Sequence, residues 1–279
     1  MGLLLMDKSI SIAIYCWLFI IAAFSYATYN RNLIWQNDGS LWRDVMKKSS
    51  DKARGHNNLG TAIENERMDE AIQEYKIAIR LKPDFSEAHN NLGKAYYEHG
   101  GPLDEIIQEY KTALRLDPAF PEAHSNLGNA YYAQGSVMDA LHEYKTALKL
   151  NSNFAGAYIN LGVVYKDMDL LNEAIHEYKK ALRLRPDLAL VYRSFGDVYY
   201  IQGHLHEAIG QYKTALKIDP NMVAAYNNLG VTYETLGQMD NAIQQYKKAL
   251  ALKPDYSDAR KNLDSLYQKM GAAEDGRGK

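Results

Sequence analysis

The residues of this chain with the clearest chemical pattern are asparagines. Asn58, Asn91, Asn126, Asn160 and Asn228 each stand two residues before a glycine, and Ser194 interrupts the series. A primary amide offers both donor and acceptor, so a ladder of amides can hold an extended peptide by its backbone without demanding a sequence. The competing use is a bond to a neighbouring helix, since buried amides usually have intramolecular partners. Asn57, Asn90 and Asn227, one residue earlier, face further into the same groove and extend the pattern at both ends. In the middle the corresponding positions become apolar or basic, with Ile159, Val163, Leu190, Arg193 and Ile201, while Tyr97, Tyr132 and Tyr200 recur one turn on. Amide ends and an apolar centre suit a peptide with hydrophobic anchors.

Catalytic and metal-binding motifs are absent from the sequence. It contains no Gly-rich phosphate loop, no His-Glu-x-x-His, no Gly-x-Ser-x-Gly and no cysteine pair, so neither an enzymatic activity nor a cofactor is expected. His204 and His206 flank a turn, and His56, His89 and His124 occupy a site filled elsewhere by Tyr158, Tyr192 and Tyr226. With no acidic or Cys partner recurring beside them in sequence, these three read as packing residues and not as metal ligands. The charges of the recurring Glu-Tyr-Lys segments are expected to face solvent. A net charge of −2 with 24% charged residues disfavours a dedicated nucleic-acid binder.

The elements that must carry these residues recur with a fixed period. Gly60, Gly93, Gly128, Gly162, Gly196 and Gly230 follow Leu or Phe, and successive numbers differ by 33, 35, 34, 34 and 34. A constant period of this size means stacked supersecondary units. Each unit holds two apolar stripes at helical spacing, as with Tyr226, Leu229, Gly230 and Tyr233, then Ala242, Ile243, Tyr246, Ala249 and Leu250. Gly100, Gly135, Gly203 and Gly237 sit where a first helix must end in a left-handed turn. Pro83, Pro118, Pro186, Pro220 and Pro254 stop the second helix, and Ser152 takes that place in the third unit.

This pattern resembles the tetratricopeptide repeat over residues 53–256. The resemblance implies an all-α, right-handed superhelical solenoid of helix-turn-helix repeats whose first helices line a concave surface. The repeats are expected at 53–85, 86–120, 121–154, 155–188, 189–222 and 223–256, with looser packing in the second, where Ile106 replaces a small residue. Chaperone-binding members grip acidic C-termini with a Lys three residues before the glycine. Here those positions hold Asn57, Asn90, Ser125, Ile159, Arg193 and Asn227, so that ligand is not expected.

The ends of the array need polar cover. Residues 257–271 are expected to form a C-terminal capping helix that buries Leu263 and Tyr267, followed by a disordered tail at 272–279. At the other end, a linker at 28–52 contains a capping helix, Leu41 to Lys48, with Trp42 in the place of Tyr75 and Val45 in that of Ala78. Residues 10–27 are free of charge and long enough for one transmembrane helix, preceded by a short tail at 1–9. The junction from Tyr29 to Ser49 resembles that of membrane glycosyltransferase-like proteins bearing C-terminal tetratricopeptide repeats, which implies extracytoplasmic repeats. Arg31, Arg43, Lys47, Lys48, Lys52 and Arg54 follow the span, a distribution that by the positive-inside rule favours the cytoplasmic side instead.

The expectation is a single-pass membrane-anchored scaffold that binds a peptide or partner protein in its groove. The alternative is an accessory or truncated relative of a protein glycosyltransferase, whose repeats recruit acceptor proteins.

Overall fold

The computed structural model describes residues 37–277, together with residues 20, 21, 24–26, 28 and 29. The chain divides into two compact units, Met1–Ala119 and Phe120–Lys279. Among the described residues every regular element is an α-helix. The first unit contains α1 (Asp38–Lys48), α2 (Ala53–Ile63), α3 (Met68–Leu81), α4 (Ser86–Glu98) and α5 (Leu103–Leu116). The second contains α6 (Pro121–Gln134), α7 (Val137–Leu150), α8 (Ala155–Asp167), α9 (Leu171–Leu184), α10 (Ala189–Ile201), α11 (Leu205–Ile218), α12 (Val223–Thr235), α13 (Met239–Leu252) and α14 (Ser257–Arg277).

Within each unit, helices pair with their sequence neighbours because small residues let two backbones approach. A Cβ added to Gly60, Gly128, Gly162, Gly196 or Gly230 would fall 2.4–2.6 Å from a ring carbon of Tyr75, Tyr144, Tyr178, Tyr212 or Tyr246 on the partner helix. All five rings are buried. Gly93 stands slightly further from Tyr110, at 2.9 Å, in the repeat where buried Ile106 occupies the usual alanine position. The first helices of these pairs end at left-handed Gly100, Gly135, Gly203 and Gly237, with φ between 72° and 85°. In the fourth repeat Asp169 adopts this conformation, at φ 59°; a short polar side chain tolerates it better than most.

Contacts between successive repeats recur too. Within each unit a lysine after a core tyrosine reaches the first helix of the next repeat, as Lys76 over Tyr96 in the first and Lys145 over Tyr165 and Lys213 over Tyr233 in the second, 5.5–5.8 Å from the ring centres. Each such cation–π contact contributes on the order of 0.5–1 kcal/mol at a partly exposed site.

The capping elements differ from expectation in detail. α1 begins at Asp38, because Asn37 and Ser40 form a reciprocal capping box. Its buried residues are Gly39 and Met46, while Val45 and Trp42 are half-buried. Met46 presses against Gly55 of α2, and Arg43 holds both carboxylate oxygens of Glu70 at 2.9 and 3.0 Å. In α14, Leu263 is buried as expected but Tyr267 is 45% exposed; Leu266, one residue earlier, is the side chain that fills the core. That position holds Ala130, Val164, Val198 and Thr232 in earlier repeats, all fully buried, so Leu266 continues their row. The helix also continues past residue 271, to Arg277.

Among the described residues no helix is long and apolar enough to cross a membrane. The apolar segment 10–27 lies for the most part outside the described residues. Its described members, residues 20, 21 and 24–26, are helical, and Ile20, Ile21, Phe24 and Tyr26 are exposed.

Candidate functional site

The asparagine series is placed differently from a free-standing ladder. In the first unit the Asn91 amide donates to Asn57 Oδ1 at 3.0 Å, and Asn90 donates to Asn91 at 3.4 Å. Asn57 and Asn90 are buried, so they do not face an open groove, and Asn58 and Asn91 are half-buried. In the second unit the Asn160 amide donates to Asn129 at 2.8 Å, and that of Asn228 to Asp197 at 2.8 Å. Buried Asn227 donates to Asn228 and accepts from Asn262, the counterpart of Asn228 in α14. Asn126 is half-buried in α6. These amides therefore stitch α4 to α2 in the first unit, and α8 to α6, α12 to α10 and α14 to α12 in the second.

Two of the acceptors in the second unit, Asn129 and Asp197, are residues that sequence reasoning missed. Asn129 and Asp197 stand one residue after the repeat glycine, one turn beyond the asparagine positions and on the same face. Each also accepts from the hydroxyl of its own repeat's core tyrosine, Tyr144 to Asn129 and Tyr212 to Asp197, both at 2.8 Å. Tyr75 uses Glu64 at 2.9 Å, and Tyr246 uses Glu234 at 2.9 Å. The recurring polar residue after the glycine was a visible signal. Burial pushes the phenols of Tyr75, Tyr212 and Tyr246 well above their ordinary pKa. Tyr246→Phe is expected to cost about 1 kcal/mol by loss of its hydrogen bond, read as a lower urea midpoint.

The histidines also acquire partners invisible in linear spacing. His56 Nδ1 lies 2.5 Å from Glu74, His89 Nδ1 2.6 Å from Glu109, and His124 Nδ1 2.6 Å from Glu143. An acidic partner thus does recur, supplied by the Glu-Tyr-Lys segment of the second helix, so these glutamates do not simply face solvent. The opposite nitrogen of His56 and His89 meets the carbonyl oxygen of Ser50 or Pro83, at 2.9 and 3.1 Å. With a carboxylate and a carbonyl as neighbours, both ring nitrogens of His89 are best used as donors. The hydrogen bond to Glu109 raises the His89 pKa against the opposing effect of burial. Among the described residues no group of three or more His, Cys, Asp or Glu is placed to hold a metal ion.

An open cavity of about 290 Å³ lies in the second unit, lined by Lys166, Asp197, Tyr200, Ile201, Tyr212, Asn228 and Val231. It gathers the expected Tyr200, Ile201 and Asn228 beside residues not singled out from sequence. Leu190 and Ile201, toward opposite ends of α10, are 50% and 54% exposed. Ile159 and Val163 are half-buried and pack against the Tyr178 cluster. Tyr132 donates to Asp167, which pushes its phenol pKa up to about 12, and Tyr200 pairs with Thr235 at 3.2 Å. In the first unit Tyr97 is exposed.

Family models described as TPR repeat match residues 63–100, 101–135, 128–169, 171–200 and 196–237, and others described as tetratricopeptide repeat match 154–185 and 223–256. The chain belongs to the tetratricopeptide repeat family. Among curated proteins, this tetratricopeptide repeat chain is 32% identical over 82 residues to human Protein O-mannosyl-transferase TMTC3. That match covers 29% of the chain and 9% of the relative. The Drosophila melanogaster Protein O-mannosyl-transferase Tmtc2 is 36% identical over 73 residues, 26% of the chain and 8% of the relative. The chain therefore matches only a small part of these curated relatives.

Solved structures share the fold. Cut9 bound to Hcn1, from the APC/C, superposes with a TM-score of 0.74 at 20% identity, covering 81% of this chain and 45% of that one. MamA gives 0.53 at 31% identity over 60% of this chain and 96% of its own. YrrB, described as having an unusual peptide-binding site, gives 0.52 at 23% identity over 67% of this chain and 96% of its own.

Proposed function

We propose that the chain is a membrane-anchored interaction scaffold whose second unit receives an extended segment of a partner protein. The observation that carries this reading is the pair of exposed apolar side chains on α10, Leu190 and Ile201, with Ile201 lining a cavity rimmed by Lys166, Asp197 and Asn228. An apolar surface with a few placed polar groups is the composition of a binding site and not of an ordinary solvated face. The amide ladder supports the reading indirectly: it fixes the spacing of the first helices while leaving amide oxygens such as that of Asn160 to accept from a peptide backbone. The proposed role is binding, without catalysis and without a cofactor.

The anchor in this proposal is residues 10–27. Its support is the uncharged stretch itself and the exposure of Ile20, Ile21, Phe24 and Tyr26, which lipid would cover. The repeats are proposed to lie outside the cytoplasm, as the junction resemblance suggests. Protease protection in sealed membrane vesicles tests this: repeats digested without detergent in inside-out vesicles would place them in the cytoplasm.

Leu190→Asp combined with Ile201→Asp is expected to weaken partner-peptide binding by at least about tenfold, roughly 1.4 kcal/mol. Stability should change little, because both side chains are exposed. Binding unchanged in a folded double variant would remove this face from consideration.

A second reading is favoured by the similarity to O-mannosyl-transferase relatives. In it the same face recruits acceptor proteins for a glycosyltransferase acting in the same compartment. Captured partners carrying no modified hydroxyl residue would count against it.

A further inference from the structure

A second open cavity of the second unit, about 430 Å³, lies between α11 and α13 over α12 and shares no residue with the one that Ile201 lines. Exposed Lys213, Lys217 and Lys248 stand around half-buried Leu216 and Tyr226 and buried Leu229 and Tyr233. Lys213 Nζ lies 5.8 Å from the centre of the Tyr233 ring, and Lys248 Nζ lies 5.6 Å from that of Tyr226. Two of the three ammonium groups are therefore held against aromatic walls.

What sets this cleft apart from its copies is a missing acid. The place of Gln245 holds Glu74, Glu109, Glu143 and Glu177 in the first four repeats, and each pairs within its own repeat, with His56, His89, His124 and Lys180. In the fifth repeat Gln211 takes that place, but Thr214 stands where the fourth has Lys180, so acid and cation are absent together. The sixth repeat keeps the cation, Lys248, and lacks the acid. The equivalent cleft two repeats earlier has Lys145 and Lys149 beside Tyr158 and Tyr165, yet there Glu177 accepts from Lys180 at 3.0 Å. Among the described residues Lys213, Lys217 and Lys248 form no ion pair. Gln245 is buried and neutral, and its amide donates to Gln244.

We propose that this cleft binds an aryl phosphomonoester, with the phosphate at Lys213, Lys217 and Lys248 and the ring against Leu216, Tyr226 and Tyr233. Charge selects the head group. A phosphomonoester brings about −1.5 to −2 charges and three acceptor oxygens to three ammonium donors, whereas a carboxylate would offset only one of them. Space selects the rest: a cavity of this size takes more than a bare anion, and leucines with two aromatic rings beside the lysines suit a flat apolar body. Because the site and the peptide groove have no residue in common, either can fail without the other.

The test is calorimetric titration of the full chain, in an uncharged detergent, with phenyl phosphate, inorganic phosphate and benzoate. Phenyl phosphate should bind at one site, about tenfold or more tighter than either of the others. Gln245→Glu, which restores the acid of the fourth repeat, should weaken it about tenfold. Lys248→Gln should do the same, and because that side chain is exposed the fold is left intact. Glu177→Gln should release Lys180 and open a second site with Lys145 and Lys149, doubling the stoichiometry. A phosphotyrosine peptide that binds tighter than phenyl phosphate assigns the ligand to a partner protein, and one that binds no tighter assigns it to a free aryl phosphate. Benzoate binding as well as phenyl phosphate, no binding of phenyl phosphate, or an affinity unchanged in both Gln245→Glu and Lys248→Gln at unchanged helicity would overturn the site. A Glu177→Gln chain that still takes one ligand would refute the role given to the missing acid.

Discussion

Replacing Gly162 with alanine is expected to destabilise the second unit by about 1–3 kcal/mol, the cost typical of forcing an added carbon into a packed core. Gly210→Ala should do the opposite, stabilising by roughly 0.5–1 kcal/mol as a glycine is removed from a helix interior. Both are glycine-to-alanine changes within helices of adjacent repeats, so helix propensity favours both. What separates them is space. The added Cβ at Gly162 would meet Tyr178 ring carbons at 2.4 and 2.6 Å, and that ring is fully buried; at Gly210 nothing lies within 4 Å. The ring cannot yield without pushing α8 from α9. Because repeat arrays need not unfold in one step, amide hydrogen exchange on α8 and α9 is the measurement of choice. Equal protection in wild type and Gly162→Ala would refute the argument.

The first unit should lose stability as pH rises through and above neutrality. His89 titrates above its ordinary value of about 6.5 in the folded state, chiefly because Glu109 accepts from Nδ1, with Arg115 opposing. A group whose folded pKa is raised contributes fully below the unfolded value. That contribution declines as the unfolded chain gives up its proton, and it is gone once pH passes the folded pKa. The pair, partly exposed, should contribute roughly 1–2 kcal/mol at acidic pH, at the low end for bonds to charged groups. Thermal unfolding compared at about pH 6 and pH 9 should show the loss, and His89→Tyr should flatten it. Tyrosine is the substitute of choice because Tyr158, in the equivalent place, still donates to the Ser152 carbonyl at 3.2 Å. An unchanged pH slope in His89→Tyr would show that other groups carry the dependence.

Much of this molecule was legible in its residues because helix pairing is a local affair. Gly60 and Tyr75 are fifteen residues apart in sequence and touch across one turn. Left-handed Gly100, Gly135, Gly203 and Gly237 and the terminating prolines follow from backbone rules that need no tertiary partner. The end caps were harder to read. Tyr267 was assigned to the core by repeat alignment, but it is 45% exposed and Leu266, one residue earlier, fills the core instead. Glu74, Glu109 and Glu143 read as solvent-facing because they belong to the charged Glu-Tyr-Lys segments of second helices; the fold brings a histidine from 18–20 residues earlier.

The sequence by itself determined the period and the Gly–Tyr contacts, since each is fixed by steric exclusion within a single repeat. Only the tertiary structure decided where the hydrogen bonds go. An asparagine has several acceptors within reach of any groove, and which one it uses depends on the residue that the preceding helix presents. That is why the amide ladder proved to be internal stitching.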